Sequence, residues 1–345
     1  MLSGAAAQSD LLAPLACEAA LLLAVSGGPD SVALMLLAAR WPPRAAGVKI
    51  SVATVDHGLR ENSREEALRV AQWARALGFD HHLLTWQGLK PATRVQESAR
   101  AARYALLCAC ARELAPECAV VTAHHADDQA ETILFRLTRG SGVAGLSGMA
   151  SASTRDGVRL LRPLLGVPKA ALEAICVAAG HPFLRDPANE NTRFARARLR
   201  ALSATLEAQG LGAGALLRLG KRAAQAEAAL NWRLSHASGA AVLSRDAVET
   251  KLDAAALRDL PREILQRLLG AEIQRRGAPP PRLDRLERAA EIVAQALAEG
   301  AQKRITLAGL SIRVADRQVT LMAAPPRAEG CTKPETELPA NEEDA

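Results

Sequence analysis

The stretch "LLLAVSGGPDSVALMLLAAR", residues 21–40, sets two apolar runs on either side of a turn made of small and polar residues. A strand that turns through glycines into a helix exposes backbone N–H groups at the positive helix end. Ser26 and Ser31 add hydroxyl donors, so the turn reads as a phosphate or pyrophosphate cradle built from Ser26, Gly27, Gly28, Pro29, Asp30 and Ser31. It is neither a Walker loop, which needs G-x-x-x-x-G-K-[ST], nor a dinucleotide fingerprint, which needs G-x-G-x-x-G. Asp30 alone would repel a phosphate. A Mg²⁺ ion shared between carboxylate and phosphates removes that conflict. A tight turn chosen only for packing is the alternative.

Short apolar runs recur near 20–25, 48–55, 82–86 and 119–122, with helical patterns between them. Ser63 followed by Glu66 reads as a capping box, opening a helix that Gly78 ends. Residues 91–114 form a long Ala-rich, Arg-studded helical pattern, and 127–137 a shorter one. Strands alternating with helices imply a doubly wound, mainly parallel sheet. Ligands of such sheets lie beyond the carboxyl ends of the strands, where the SGGPDS turn falls. Past Gly140 the alternation fades. "GSGVAGLSG" reads as a glycine-rich loop, and 168–180 as a helix with Pro near its start and Gly at its end. From about Leu216 the pattern is Ala/Leu/Arg helices, and "RITLAGLSIRVADRQVTLMAA" reads as two or three short strands. The expectation is an α/β catalytic domain over 1–215 and a smaller, mainly helical domain with short terminal strands over 216–325. An acidic, disordered tail is expected over 326–345.

Lys and Arg number 43 against 37 Asp and Glu, for a net charge of +6. The last twenty residues hold two basic and six acidic residues, so residues 1–325 carry +10, which suits a polyanionic partner. The six cysteines include no C-x-x-C pair, so neither a zinc site nor a disulfide framework is expected. No uninterrupted apolar run reaches membrane-spanning length, and no Lys or Arg precedes Arg40. A cytoplasmic protein without membrane attachment is expected.

Four further stretches accompany the turn: "VDHGLRENSREEA" (55–67), "ARAARYALL" (99–107), "TAHHADDQAETILFRLTRGSGVAGLSGM" (122–149) and "DPANENTRFARARLR" (186–200). The hexapeptide SGGPDS resembles the pyrophosphate loop of the N-type ATP pyrophosphatases, the PP-loop superfamily. Together, in order and spacing over roughly 20–200, the stretches resemble the tRNA(Ile)-lysidine synthase family. The resemblance implies that ATP with Mg²⁺ adenylates the wobble cytidine in the CAU anticodon of tRNA(Ile). L-lysine then displaces AMP to give lysidine. It also implies a compact version of the family, without the further C-terminal domain of longer members. A homodimer is left open.

Asp128 and Glu131, three apart on a helix, project from one face and suit a metal or an ammonium group; the resemblance favours lysine. Asp127 can be a helix cap. His124 and His125 alternate in direction if extended, so one faces the site; His125 is taken as the catalytic one, contacting phosphate or moving a proton. By resemblance Arg103 approaches the reacting phosphates rather than lying on a solvated helix face, and His57 packs near the adenine. Asp30, Arg103, His125 and Asp128 form the expected catalytic set, with Asp30 as the residue facing Mg²⁺. Arg193, Arg196 and Arg200 share a helical face suited to RNA phosphates, and Asp186 and Asn189 precede them in a turn. The nearest rival is a tRNA cytidine thiolase of the same fold. Cys108 and Cys110 argue against it, because C-x-C in a helix points to two faces. A catalytically silent ATP-dependent tRNA-binding protein is the other alternative.

Overall fold

A computed structural model of the chain describes residues 10–59, 62–88, 90, 95–185 and 202–325. The chain divides into two compact units between Glu227 and Ala228. In the first unit, β1 (Ala20–Ala24), β2 (Lys49–Asp56), β3 (Asp80–Thr85) and β4 (Ala119–Thr122) pair in parallel. A hairpin of β5 (Ala152–Arg155) and β6 (Val158–Leu161) completes a six-stranded sheet of order β3-β2-β1-β4-β6-β5.

The central strand β1 is apolar throughout because both of its faces are covered. Its side chains alternate in direction, and the two faces feed two cores. Leu21 and Leu23 join Val52 and Val121 in a core with α1 (Pro29–Ala39), α3 (Ser63–Ala76) and α7 (Lys169–Ala178). Leu22 joins Ala53 and Val120 in the other, beneath Tyr104, Leu107 and Ala111 of α4 (Val95–Leu114). The short α2 (Pro42–Ala45) links α1 to β2. The order reverses at β1, which pairs with β2 on one side and β4 on the other. Such a switch point leaves a crevice at the carboxyl ends of the strands.

After β4 come α5 (Ala126–Leu137), α6 (Val143–Leu146) and, past α7, α8 (Ser203–Ala208). The long α9 (Ala213–Ala241) contains the division between the units. In the second unit, β7 (Val242–Arg245), β8 (Glu249–Asp253), β9 (Lys303–Leu307), β10 (Leu310–Val314) and β11 (Gln318–Ala323) form an antiparallel sheet. Its order is β7-β8-β11-β10-β9. α10 (Ala254–Arg258), α11 (Arg262–Arg275) and α12 (Leu283–Glu299) supply the helical side of its core, through residues such as Leu268 and Val293. Among the described residues no helix is long and apolar enough to cross a membrane.

The expected α/β class and parallel sheet are present, and four local expectations are corrected. Ser63 is the first residue of α3 rather than its cap, and its hydroxyl donates to Asp56 Oδ1 at 2.7 Å. The "GSGVAGLSG" loop contains the single-turn helix α6. The β5–β6 hairpin, at the sheet edge and only four residues a side, lies where alternation was read as ended. Finally, β7 and β8 join the three terminal strands, so the second unit carries a full sheet. Both are short, and "VLSR" and "ETKLD" are half polar because they cover the core on one face only.

Candidate active site

The cavity at the switch point has a volume of about 760 Å³ and is lined by the ends of β1, β2 and β4 and by faces of α4, α5 and α7. The floor is the turn from β1 into α1. Gly27 has φ +91°, and a Cβ there would meet Leu184 Cδ1 at 2.6 Å, so glycine lets the two segments touch. Leu184 N–H donates to Gly27 O at 2.8 Å. Gly28 is the N-cap of α1 and Pro29 its first residue, which leaves the helix-end N–H groups turned to the crevice. Ser31 is buried. Its Oγ accepts from Ser26 N–H at 3.2 Å and donates to Gly28 O at 2.9 Å, so its proton braces the turn from within. Cys176 of α7 donates to Pro29 O from behind at 3.3 Å.

One wall is cationic. Arg100 and Arg103 of α4 line the cavity beside Tyr104, the chain's single tyrosine, which is 2% exposed. Arg100 donates to the Tyr104 hydroxyl at 3.4 Å, and Arg103 lies 5.7 Å from the ring centre. No ion pair to Arg103 occurs among the described residues. Burial pushes its pKa down from the ordinary value, with Arg100 adding to the effect. His124, at the end of β4, lines the same wall and shares a 2.8 Å hydrogen bond with Thr122 Oγ1. Burial, then Arg100, Arg162 and Arg103, push its pKa down to about 3, so the ring is neutral.

The other wall is acidic. Asp30, Asp128 and Glu131 all line the cavity. His125, 5% exposed, lies behind them and is the N-cap of α5. Its Nε2 is 3.5 Å from Asp30 and 3.4 Å from Asp128, and Asp128 N–H donates to its Nδ1 at 3.4 Å. Burial alone would lower the His125 pKa. The hydrogen bond to Asp30 and the carboxylates of Asp128, Asp30 and Asp127 outweigh it and hold the ring above its ordinary value. Asp128 is raised, first by burial and then by Glu131 and Asp30, against the pull of His125. Asp30 Oδ1 is buried with no hydrogen-bond partner among the described residues. Asp127 accepts from Lys169 N–H at 2.9 Å, tying α5 to the start of α7.

Ser26, Gly28, Pro29, Asp30, Ser31, His57, Arg103, Asp128 and Glu131 therefore share one cavity, whereas Gly27 and His125 support it from behind. His57 stands edge-on to Trp86, with ring centres 6.4 Å apart. Arg193, Arg196 and Arg200, with Asp186 and Asn189, lie outside the described residues. Sequence reasoning passed over Asp56, which accepts from Gly58 N–H and Ser63 Oγ at 2.9 and 2.7 Å and so shapes the loop carrying His57. It also passed over Arg100 and Lys169 on the cavity wall. The "ARAARY" spacing, which sets Arg100 one turn before Arg103, was the available signal for the first. Cys108 and Cys110 are both buried, one beside Arg155 O and the other near Cys118, and burial raises both thiols.

A PP-loop domain family matches residues 5–205. A tRNA(Ile)-lysidine synthase from Methylobacterium sp. (strain 4-46) is 49% identical over 317 residues, covering 88% of this chain and 89% of the relative. One from Bradyrhizobium sp. (strain BTAi1) is 46% identical, covering 94% of this chain and 95% of the relative. The chain belongs to the tRNA(Ile)-lysidine synthase family. Among solved structures, the U34-tRNA thiolase NcsA from Methanococcus maripaludis superposes with a TM-score of 0.52 at 13% identity. It covers 62% of this chain and 77% of the thiolase, a likeness of fold alone. Membership of the family separates the chain from the thiolases that share its sheet.

Proposed function

We propose that the two walls of the cavity divide the two steps by which L-lysine is joined to C2 of the wobble cytidine in the CAU anticodon of tRNA(Ile). The chain is an ATP-dependent ligase of the lysidine-forming family. In the first step the C2 carbonyl oxygen attacks the α-phosphorus of ATP. The bond between the α-phosphorus and the bridging oxygen breaks, and pyrophosphate leaves with the electron pair. The N–H groups of Gly27, Gly28, Asp30 and Ser31 hold the departing phosphates. Arg103, desolvated and without an acidic partner among the described residues, stabilises the charge that grows there. The wall with His57 takes the adenine.

Asp30 and the ATP phosphates would hold Mg²⁺ between them. The buried, unpartnered Asp30 Oδ1 suits an ion bound by one carboxylate plus phosphates and waters. When bound, the ion would supply positive charge against the phosphates beside the Asp30 carboxylate. In the second step the ε-amine of lysine attacks C2, the bond from C2 to the AMP oxygen breaks, and AMP leaves with the pair. Asp128 and Glu131 hold lysine through an ammonium group. Asp128, its carboxyl raised by burial, takes the proton lost by the attacking amine. His125 acts through Asp30 and Asp128 and keeps both carboxylates in place. Arg193, Arg196 and Arg200 bind tRNA phosphates, and residues 216–325 extend the tRNA surface. Raised thiols at Cys108 and Cys110 disfavour sulfur transfer.

The observation carrying this reading is that Asp30, Arg103, Asp128 and Glu131 line one cavity at the β1/β4 switch point. It is tested by pyrophosphate release from ATP·Mg²⁺, with and without L-lysine, on isoleucine and methionine tRNA transcripts bearing CAU. Release that needs the isoleucine transcript, with labelled lysine retained on it, supports the reading. Release without lysine incorporation refutes the second step, and no release on either transcript refutes both.

A further inference from the structure

Four tryptophans occur in the chain, and Trp232 is the one the fold leaves open, at 63% exposure. It lies on α9 in the second unit. The inner face of that segment is already anchored: Ala237 and Ala241 are buried and Leu234 packs against the core. Trp232 is therefore spare as far as folding is concerned. Its indole rests against His236, one turn on, with ring centres 4.1 Å apart and planes at 41°. His236 Nδ1 donates to the Trp232 carbonyl at 2.9 Å, and Ser235 Oγ donates to the same oxygen at 2.8 Å. The imidazole is thus held in one orientation against the indole.

The surroundings are polar rather than apolar. Asn231, Arg233, Ser235 and His236 are all exposed. Arg233 has no acidic partner among the described residues. Residues 228–325 hold 15 Lys and Arg against 11 Asp and Glu. A surface for a protein partner or a second copy would be a contiguous apolar patch. A fixed pair of aromatic rings beside an exposed guanidinium, on a positive unit, matches an unstacked base and its phosphate.

We infer that Trp232 and His236 form a base-stacking platform for an unpaired nucleotide of the tRNA, with Arg233 on an adjoining phosphate. The inference rests on the proposed function, because it takes tRNA as the substrate. Stacking of this kind is tolerant of sequence, so the platform adds affinity and orientation without reading the anticodon.

The test uses the full chain, the isoleucine transcript and three variants: Trp232→Phe, Trp232→Ala and Arg233→Ala. Titrating wild type with tRNA should quench part of the tryptophan emission, and Trp232→Phe should lack that part while keeping most of the affinity. Trp232→Ala should bind tRNA about tenfold more weakly. Its KM for tRNA should rise, with kcat at saturating tRNA and the KM values for ATP and lysine unchanged. The salt slope of binding should match wild type in Trp232→Ala and fall by about one in Arg233→Ala. Wild-type affinity in Trp232→Ala, with lysine incorporation intact, overturns the platform alone. So does sedimentation as a dimer that Trp232→Ala splits while tRNA affinity is kept. A wild-type protein that binds no tRNA overturns the platform and the proposed function together.

Discussion

The two walls of the cavity are joined by a dipeptide whose members behave in opposite ways. His124 faces Arg100 and Arg103 and is pushed down to about 3. His125, its neighbour, turns toward Asp30, Asp127 and Asp128 and is held above its ordinary value. Burial lowers both, so the difference comes from the charges each ring meets. One peptide bond therefore separates a surface that wants an anion from a surface that wants a cation. A reaction that binds triphosphate and amino acid together needs such a division. The fold supplies it by ending β4 at the switch point, where extended backbone sends adjacent side chains to opposite sides.

The comparison breaks most completely at Asp30, which belongs to the acidic wall but sits in the phosphate turn. Asp30→Ala should lower pyrophosphate release by roughly 10³-fold, measured at saturating ATP, Mg²⁺ and tRNA. Near-normal release would remove Asp30 from the first step. Arg103→Ala tests the cationic wall alone. Its kcat for pyrophosphate release should fall by roughly 10²- to 10³-fold, while equilibrium binding of lysine stays as in wild type. A matching loss of lysine binding would mean that the two walls do not act separately.

Asp128→Asn tests the acidic wall in the other direction. It keeps the shape and removes the charge that would pair with an ammonium group. The KM for lysine should rise roughly 10- to 100-fold, with tRNA adenylation, read as pyrophosphate released without lysine, changed far less. An unchanged KM for lysine would take Asp128 out of lysine binding.

Much of this division was legible in the chain. The apolar run, the glycines and Asp30 announced a strand, a turn and a helix, because a fully buried strand has no polar face to disguise it. The three-residue spacing of Asp128 and Glu131 placed both carboxylates on one helical face, and both line the cavity. The opposite fates of the histidines were legible only as an alternation. Which charges each ring meets depends on α4 and on the turn after β1, far off in sequence. His125 was expected to contact phosphate or move a proton, and packing sets it behind Asp30 and Asp128. The short strands β5 to β8 went unread for a different reason. Each is four or five residues long, and covering one face needs only two or three apolar side chains.

The smallest effect sharpens the comparison instead of breaking it. In the folded chain His124 stays neutral down to about pH 3, whereas the unfolded chain protonates it near its ordinary value of 6.5. Below pH 6.5 the unfolded state therefore binds a proton that the folded state refuses, and stability falls as pH drops. His81, lowered to about 4 by burial and then Arg75, acts in the same sense from the far edge of the sheet. His124→Gln should remove one such group and leave the other. Proton uptake on unfolding at pH 5 should then fall by about one, and the melting temperature should decline less between pH 7 and 4.5. Equal uptake in the variant would show that His124 ionises freely and that the cationic wall does not reach it. In Arg103→Ala the His124 pKa should recover only in part, because burial is the first cause of its depression and Arg100 and Arg162 remain.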